Sequence, residues 1–416
     1  MIVLLFAPFL RFVGSHNDRL PLECCYASTE LERRGIEHVV INADATGSDV
    51  YIPWSELFHN FPYFMDGIDG RSPIYSEVLE RVMSYEPELV VIAAGDALAP
   101  DVDCGHYQIG INFSNRLRRR GIKTIGVGKF YAAYPKRFAP YFDGITSGPC
   151  IVGLAEAIRS VLRGNKSIFA TRADVDILPS FEHVIPQNLE DSWVFTNFGC
   201  PYKCRFCYRP RIYRGQYLLI RPELFAEDVA RRKCQSLVIR DGTIATEPRR
   251  IEQLAEALER KGVRKTFACD IRADLASPEM LQALKRMGVE RLKVGLEILD
   301  DEALRRLNKL EDARTIRQGL ERIKRYGFQL TVCLIAGACR ASREAWERTI
   351  KFIEELEPDS IVINTAAYLD FDDPRAKYDA HFSPISAKRH GVDEDILWRL
   401  LKLQDKLKNP SIKVTE

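Results

Sequence analysis

Short unbroken apolar runs alternate with amphipathic stretches from the start of the chain, and these two patterns predict strands and helices in turn. Residues 2–6, Ile-Val-Leu-Leu-Phe, form a β-rich run that ends before Pro8. Residues 22–34 have helical spacing and stop at Gly35, a C-terminal signal, and 37–42 read as a second strand. A helix over 74–85, a strand over 89–94, a helix over 112–120 closed by Gly121, and a strand over 123–128 continue the series. An edge strand over 142–146 and a closing helix over 152–163 complete it. Alternation of this kind calls for a doubly wound parallel sheet, which binds ligands at the carboxyl ends of its strands. Here those ends are Ala7-Pro8, 42–44, Gly95-Asp96 and Gly126-Val127-Gly128.

Residues 164–190 are polar, contain Pro179 and Pro186, and read as a linker between domains. The alternation then resumes with strands over 193–196, 236–240, 265–269, 291–296, 329–335 and 360–364, separated by helices over 249–261, 278–287, 301–308, 312–326 and 342–356. Six strands with intervening helices predict an open, partial (β/α)6 barrel over 191–368, with chemistry at the carboxyl ends of its strands. Past Tyr368 the pattern breaks, and 369–416 form a C-terminal extension. Its helix over 393–407 carries Ile396, Leu397, Leu400, Leu401, Leu403 and Leu407 on one face, to pack on the barrel or cover a substrate. The segment 44–73 is long and aromatic, with Trp54, Phe58, Phe61, Tyr63 and Phe64, and either walls a ligand crevice or forms a packed excursion.

Charge narrows the function classes. The 60 basic and 58 acidic residues nearly cancel, which argues against a protein that neutralises nucleic-acid phosphates in bulk. Basic runs at 116–120 and 231–233 read as solvated helix faces. The apolar start, 1–10, has no basic leader and is too short to span a bilayer, so it reads as a buried first strand of a cytoplasmic protein. The 11 cysteines do not form the evenly spaced framework of a secreted disulfide protein.

Three of them carry the candidate chemistry. Cys200, Cys204 and Cys207 fall at the spacing Cys-x-x-x-Cys-x-x-Cys, on a loop opened by Gly199 and Pro201. Thiolates so close suit one soft centre, zinc or an iron–sulfur cluster. A structural zinc site closes with a fourth Cys or His, and the nearest downstream are Cys234 and His381. A 4Fe–4S cluster on three thiolates instead keeps one iron open for a small chelating molecule. A zinc site completed from elsewhere and a non-catalytic metal-binding or redox-sensing role remain open at this point.

The stretch 195–208 resembles the cluster-binding loop of the radical S-adenosylmethionine (SAM) enzymes, down to the aromatic Phe206 before the last cysteine. The resemblance implies that the open iron chelates SAM and that one electron, from a partner such as flavodoxin or ferredoxin, cleaves it to methionine and a 5′-deoxyadenosyl radical. It also places SAM contacts at strand ends: Asp241 in Arg-Asp-Gly-Thr, Arg272 in Asp-Ile-Arg-Ala-Asp, Glu297 in Gly-Leu-Glu, and Gly337. The usual Pro-Gly-Glu is replaced by Ala338-Cys339-Arg340 after Gly337. Asp241, Arg272 and Glu297 supply the anion, cation and acceptor types that an amino acid headgroup and a ribose need. Tyr202, Tyr208 and Tyr213 border the loop as packing or adenine contacts, and Cys333 and Cys339 lie near the barrel mouth as candidate thiols.

The first third is similar to the cobalamin-binding-type domain that precedes the barrel in one large subfamily, through 21–35, 125–128 before Pro135, and 142–148. The Asp-x-His-x-x-Gly signature is absent; His16 sits in the right loop, but Gly14 and Arg19 replace the flanking residues. His16 and His106 are the candidate cobalt ligands. The resemblance implies hydrogen abstraction from a small molecule, a secondary-metabolite or antibiotic intermediate. Cobalamin-dependent methylation of an unactivated carbon follows from it. If the first domain is empty, deoxygenation of a sugar diol, decarboxylation or epimerisation takes its place.

Overall fold

The computed structural model describes residues 1–8, 20–45, 65–98, 105–187, 189–337, 340–365 and 393–407. Its first sheet has seven strands: β1 (Ile2–Phe6), β2 (His38–Asn42), β3 (Leu89–Ala93), β4 (Lys123–Val127), β5 (Gly144–Thr146), β6 (Ser167–Phe169) and β7 (Val184–Ile185). They lie in the order β6-β5-β4-β3-β1-β2-β7, all parallel. Strands β2 and β3 are buried at every position, because helices cover both faces of the sheet. The chain winds outward in both directions from β1, so the switch point lies between the ends of β1 and β3.

Two expectations are corrected here. The stretch 164–190 is not a free linker: it supplies β6 and β7, the two rims of the first sheet, and β5 is therefore interior. The helix expected over 112–120 begins six residues earlier, spanning His106–Arg118, because Gly105 turns the chain with φ 71° and no proline follows. The aromatic residues of 46–64, and His16, lie outside the described residues.

Two buried carboxylates on the helix Leu22–Arg33 tie this unit together. Glu30 accepts from the backbone N–H groups of Gly153 and Leu154 (2.9 and 2.8 Å), capping the helix Leu154–Leu162 from a distance. Glu23 accepts from Ala97 N (2.8 Å) and Cys150 N (2.9 Å), joining the loops beyond β3 and β5. Burial, reinforced by Asp96, pushes the Glu23 carboxyl up to about 8.

The second sheet contains β8 (Trp193–Val194), β11 (Ser236–Ile239), β12 (Thr266–Ile271), β13 (Val289–Glu297), β14 (Gln329–Ala336) and β15 (Ser360–Thr365). They follow in sequence order, all parallel, as a partial barrel. Burial alternates along β12 and the first half of β13, with the fully buried residues facing the helices. The half-exposed set, Ala268, Asp270 and Lys293 among it, faces the lumen. Between β8 and β11 runs an unexpected antiparallel pair, β9 (Asn197–Gly199) with β10 (Tyr217–Leu219), which brackets the cysteine loop. The helix Glu394–Lys406 packs Ile396, Leu397, Leu400 and Leu403 into the core and contacts β15, as a helix docked on the barrel. Residues 366–392, with His381 and His390, lie outside the described residues. No helix among the described residues is long and apolar enough to cross a membrane.

Candidate metal centre

The cysteine loop leaves the barrel mouth between β9 and a short helix, Arg209–Ile212. Gly199 begins it at φ 86°, with its α-carbon so close to Gln216 that an added Cβ would lie 2.1 Å from that carbonyl oxygen. Cys200, Cys204 and Cys207 are all free thiols of intermediate exposure. Burial raises all three, Cys204 to about 11, while the cations Arg209, Arg272 and Lys309 pull the other way.

Each side of the loop is braced. Arg205 N donates to Leu307 O (2.9 Å), and Asn308 Nδ2 donates to Lys203 O (2.7 Å). Tyr202 lies under the guanidinium of Arg272, 3.8 Å from its ring centroid. Beneath Cys200 passes Gly242: a Cβ there would stand 2.9 Å from Cys200 Cβ and 2.8 Å from Arg209 Cδ.

The strand-end residues expected to contact SAM are each already engaged with other groups of the chain. Asp241 accepts through Oδ1 from Thr196 N and Asn197 N (3.0 and 3.3 Å), and through Oδ2 from Thr196 Oγ1 and Asn197 Nδ2 (2.5 and 2.8 Å). Four donors fill the lone-pair sites of a carboxylate, so Asp241 fixes the segment that delivers the loop and offers no open anion to an ammonium group. Its carboxyl is pushed up to about 7 by burial. Arg272 grips Asp274 with Nε and Nη2 (3.0 and 2.8 Å) and donates through Nη1 to Lys309 O (2.8 Å). Glu297 ends β13 at φ 59°, where the register skips a residue, and accepts from Lys309 Nζ at 2.8 Å. A side chain at Gly295 would fill this place, since its Cβ would lie 2.3 Å from Glu297 Oε1 and 2.6 Å from Lys309 Nζ. Glu311 closes the group, 3.4 Å from Arg272 and 3.6 Å from Lys309.

Lys309, Glu311 and Asn308 were not legible as site residues, although Asn308-Lys309-Leu310-Glu311 is a polar break between two helices. Phe206 is partly exposed at the loop, and Gly337 turns the chain after β14 with φ 79°. Tyr213 is buried in the core. Tyr208 packs edge-on against Phe130 and Tyr134, beyond β4. Cys333 is buried and its thiol is raised by that burial to about 12; Cys339 lies outside the described residues.

The loop also faces the first sheet. Arg209 Nη1 donates to Leu98 O beyond β3 (3.0 Å), and Arg214 Nη2 donates to Ser147 O beyond β5 (3.0 Å). At that edge Gly128, φ 120°, abuts the Gly95 carbonyl, and the ring of Phe142 covers Gly126. His106 contacts Ala7 O through Nε2 at 2.7 Å and packs edge-on against Phe6, at the switch point.

A single ion would need the three sulfurs closely gathered. Thiolates sharing one zinc at about 2.3 Å would sit about 3.8 Å apart. Among the described residues the three-ligand group whose donors all lie within 4.8 Å is Glu32, His38 and His183, and the three cysteines are not so gathered.

Residues 194–353 match the family model described as the radical SAM superfamily. Over 140 residues the chain is 29% identical to the hopanoid C-3 methylase of Methylococcus capsulatus, covering 33% of this chain and 27% of that protein. Over 176 residues it is 27% identical to the hopanoid C-2 methylase of Rhodopseudomonas palustris, covering 40% and 33%. The matches thus span a third or less of those relatives' own length. Among solved structures, TsrM from Kitasatospora setae, a radical SAM methyltransferase with cobalamin and a 4Fe–4S cluster bound, superposes with a TM-score of 0.65 at 14% identity, over 99% of this chain and 91% of that one. The cobalamin-dependent radical enzyme OxsB, with aqua-cobalamin and SAM bound, gives 0.58 at 12% identity over 96% and 56%. These likenesses establish the two-unit fold.

Proposed function

We propose, from the match of residues 194–353 to the radical SAM superfamily, that this chain is an enzyme that cleaves SAM reductively and methylates an unactivated carbon of a small molecule. One observation carries the reading: the loop of Cys200, Cys204 and Cys207 stands where the strand ends of both sheets meet, bridged by Arg209 to Leu98 and by Tyr208 to Phe130. A group held there faces the barrel lumen on one side and the ligand-binding edge of the first sheet on the other. The methylase names of the relatives favour methyl transfer over the lyase alternatives.

Cys200, Cys204 and Cys207 would hold a 4Fe–4S cluster. When bound, cluster, SAM and cobalamin supply the electron, the radical source and the methyl carrier. The chain's own residues do the positioning. Arg272 on Tyr202 and Asn308 on Lys203 fix the loop, while Arg209, Arg272 and Lys309 oppose the charge of three thiolates. The half-exposed lumen positions, Asp270 and Lys293 among them, leave room and polarity for a small substrate. Cobalamin at the first sheet's edge would rest on backbone around Gly95 and Gly128, since His106 commits Nε2 to Ala7. The electron would come from a flavodoxin- or ferredoxin-like donor in the cytoplasm.

Anaerobic reconstitution followed by iron and sulfide analysis, and by assay for 5′-deoxyadenosine and methionine with SAM and dithionite, tests the proposal. Cluster formation and SAM cleavage that fail together in Cys204→Ala are the expected result. Zinc without iron or sulfide would overturn it. A corrin absorption spectrum retained through gel filtration supports methyl transfer; its absence, with SAM cleavage intact, turns the reading to a cobalamin-independent lyase.

A further inference from the structure

We propose that Glu32, His38 and His183 form a second metal site, for a divalent transition ion such as zinc, at the end of the first sheet opposite the cysteine loop. Their donor atoms all lie within 4.8 Å of one another. Glu32 is in the last turn of the helix Leu22–Arg33, His38 is the first residue of β2, and His183 directly precedes β7. Two imidazoles and a carboxylate suit zinc and its neighbours, with water completing the shell.

The histidines are prepared for this. His38 Nδ1 lies 2.8 Å from the Ile36 carbonyl, which can only accept, so the ring proton is on Nδ1 and Nε2 carries the lone pair. A backbone carbonyl on the far nitrogen is the usual orienting contact of a metal-bound histidine. Nε2 now meets Ser28 Oγ at 2.7 Å, a hydroxyl that can turn away when an ion arrives. His183 packs tilted against His38 with ring centroids 4.5 Å apart, and its Nε2 lies 3.3 Å from Glu32 Oε1. The same Oε1 accepts from the Ser180 hydroxyl, which holds the carboxylate in place. Drawing these donors onto zinc–ligand distances of about 2.0–2.2 Å takes movements of about 1 Å, open to Glu32 and His183 because both side chains are partly exposed.

The place of the site gives its role. The incoming segment before β7 already runs along the first helix, with Thr29 Oγ1 donating to Leu178 O (2.8 Å) and Ser180 N donating to Cys25 O (3.1 Å). His183 O then accepts from Val40 N at 2.9 Å. An ion held by Glu32, His38 and His183 would fasten helix, sheet and the chain leading into the barrel at one point, closing a long loop.

The test uses the full chain carrying Cys200→Ser, Cys204→Ser and Cys207→Ser, freed of metal and titrated with Co2+. One equivalent should bind with the visible bands of a nitrogen- and oxygen-ligated ion, be displaced by Zn2+, and raise the melting temperature. His183→Ala or Glu32→Gln on this background should weaken binding about tenfold or more without changing the ion-free melting temperature. No band, bands with thiolate charge transfer, or bands that survive His183→Ala would overturn the site and leave a simple His–Glu ion pair. The cluster-loaded wild type gives an independent measure: one zinc per chain after mild chelation, lost in His183→Ala, is expected, and none in the wild type counts against it.

Discussion

The guanidinium of Arg272 lies 3.8 Å from the ring centroid of Tyr202, so the exit of β12 is fastened to the loop between Cys200 and Cys204. The same guanidinium serves Asp274, Glu311 and the Lys309 carbonyl. Arg272→Met should therefore cost about 3–5 kcal/mol in urea unfolding, the cost of leaving buried partners unpaired. Arg272→Lys keeps the charge but not the fork, and should lose less stability while retaining less iron per chain than wild type after reconstitution.

Gly242→Ala tests the floor of the loop. The new methyl group would meet Cys200 Cβ at 2.9 Å and the Gly199 carbonyl oxygen at 3.0 Å. Overpacking of this kind costs about 1–3 kcal/mol. The loop should yield first, so iron content and SAM cleavage fall more than the melting temperature does.

Lys309→Met leaves Glu297 and Glu311 facing each other without their shared cation. Burial already raises the Glu311 carboxyl, and Lys309 is the largest influence holding it down. Without that cation the folded-state value rises further, and stability is lost as pH rises through it. Lys309→Met should lie furthest below wild type near neutral pH and recover toward wild type as the solution is acidified.

Glu23 provides a pH test remote from the cysteines. Its carboxyl is raised from 4.5 to about 8 in the fold, chiefly by burial, so the folded state binds the proton more tightly than the unfolded chain. Its contribution is complete below 4.5 and is lost as pH rises toward 8. Glu23→Gln should flatten the decline of stability over that window. The slope is the readout, since an amide placed between Ala97 N and Cys150 N cannot accept from both and lowers stability at every pH.

The first sheet could be read from the sequence because its central strands are apolar on both faces, the barrel because its strands keep one apolar face, and the helices of both carry clear stops, such as Gly35 and Gly262. The three cysteines were legible for a similar reason: their spacing is local. Asp241, Arg272 and Glu297 were legible as polar residues at strand ends, but not what they do. Their partners Asn197, Lys309 and Glu311 come from other segments, and pairing across segments leaves no periodic trace. Strands β6, β7, β9 and β10 escaped because two- and three-residue strands hold by backbone pairing along an edge, which any polar sequence can supply.

The two rims of the first sheet, β6 and β7, have a consequence for how the protein is made. Both come late in the unit, so a nascent chain that has emerged only as far as residue 163 exposes the open edges of β5 and β2. A fragment cut there should associate edge to edge, whereas one ending at 187 carries its own seals. On the ribosome, the first unit becomes safe from its neighbours only as the barrel's opening strand is about to follow it out of the tunnel.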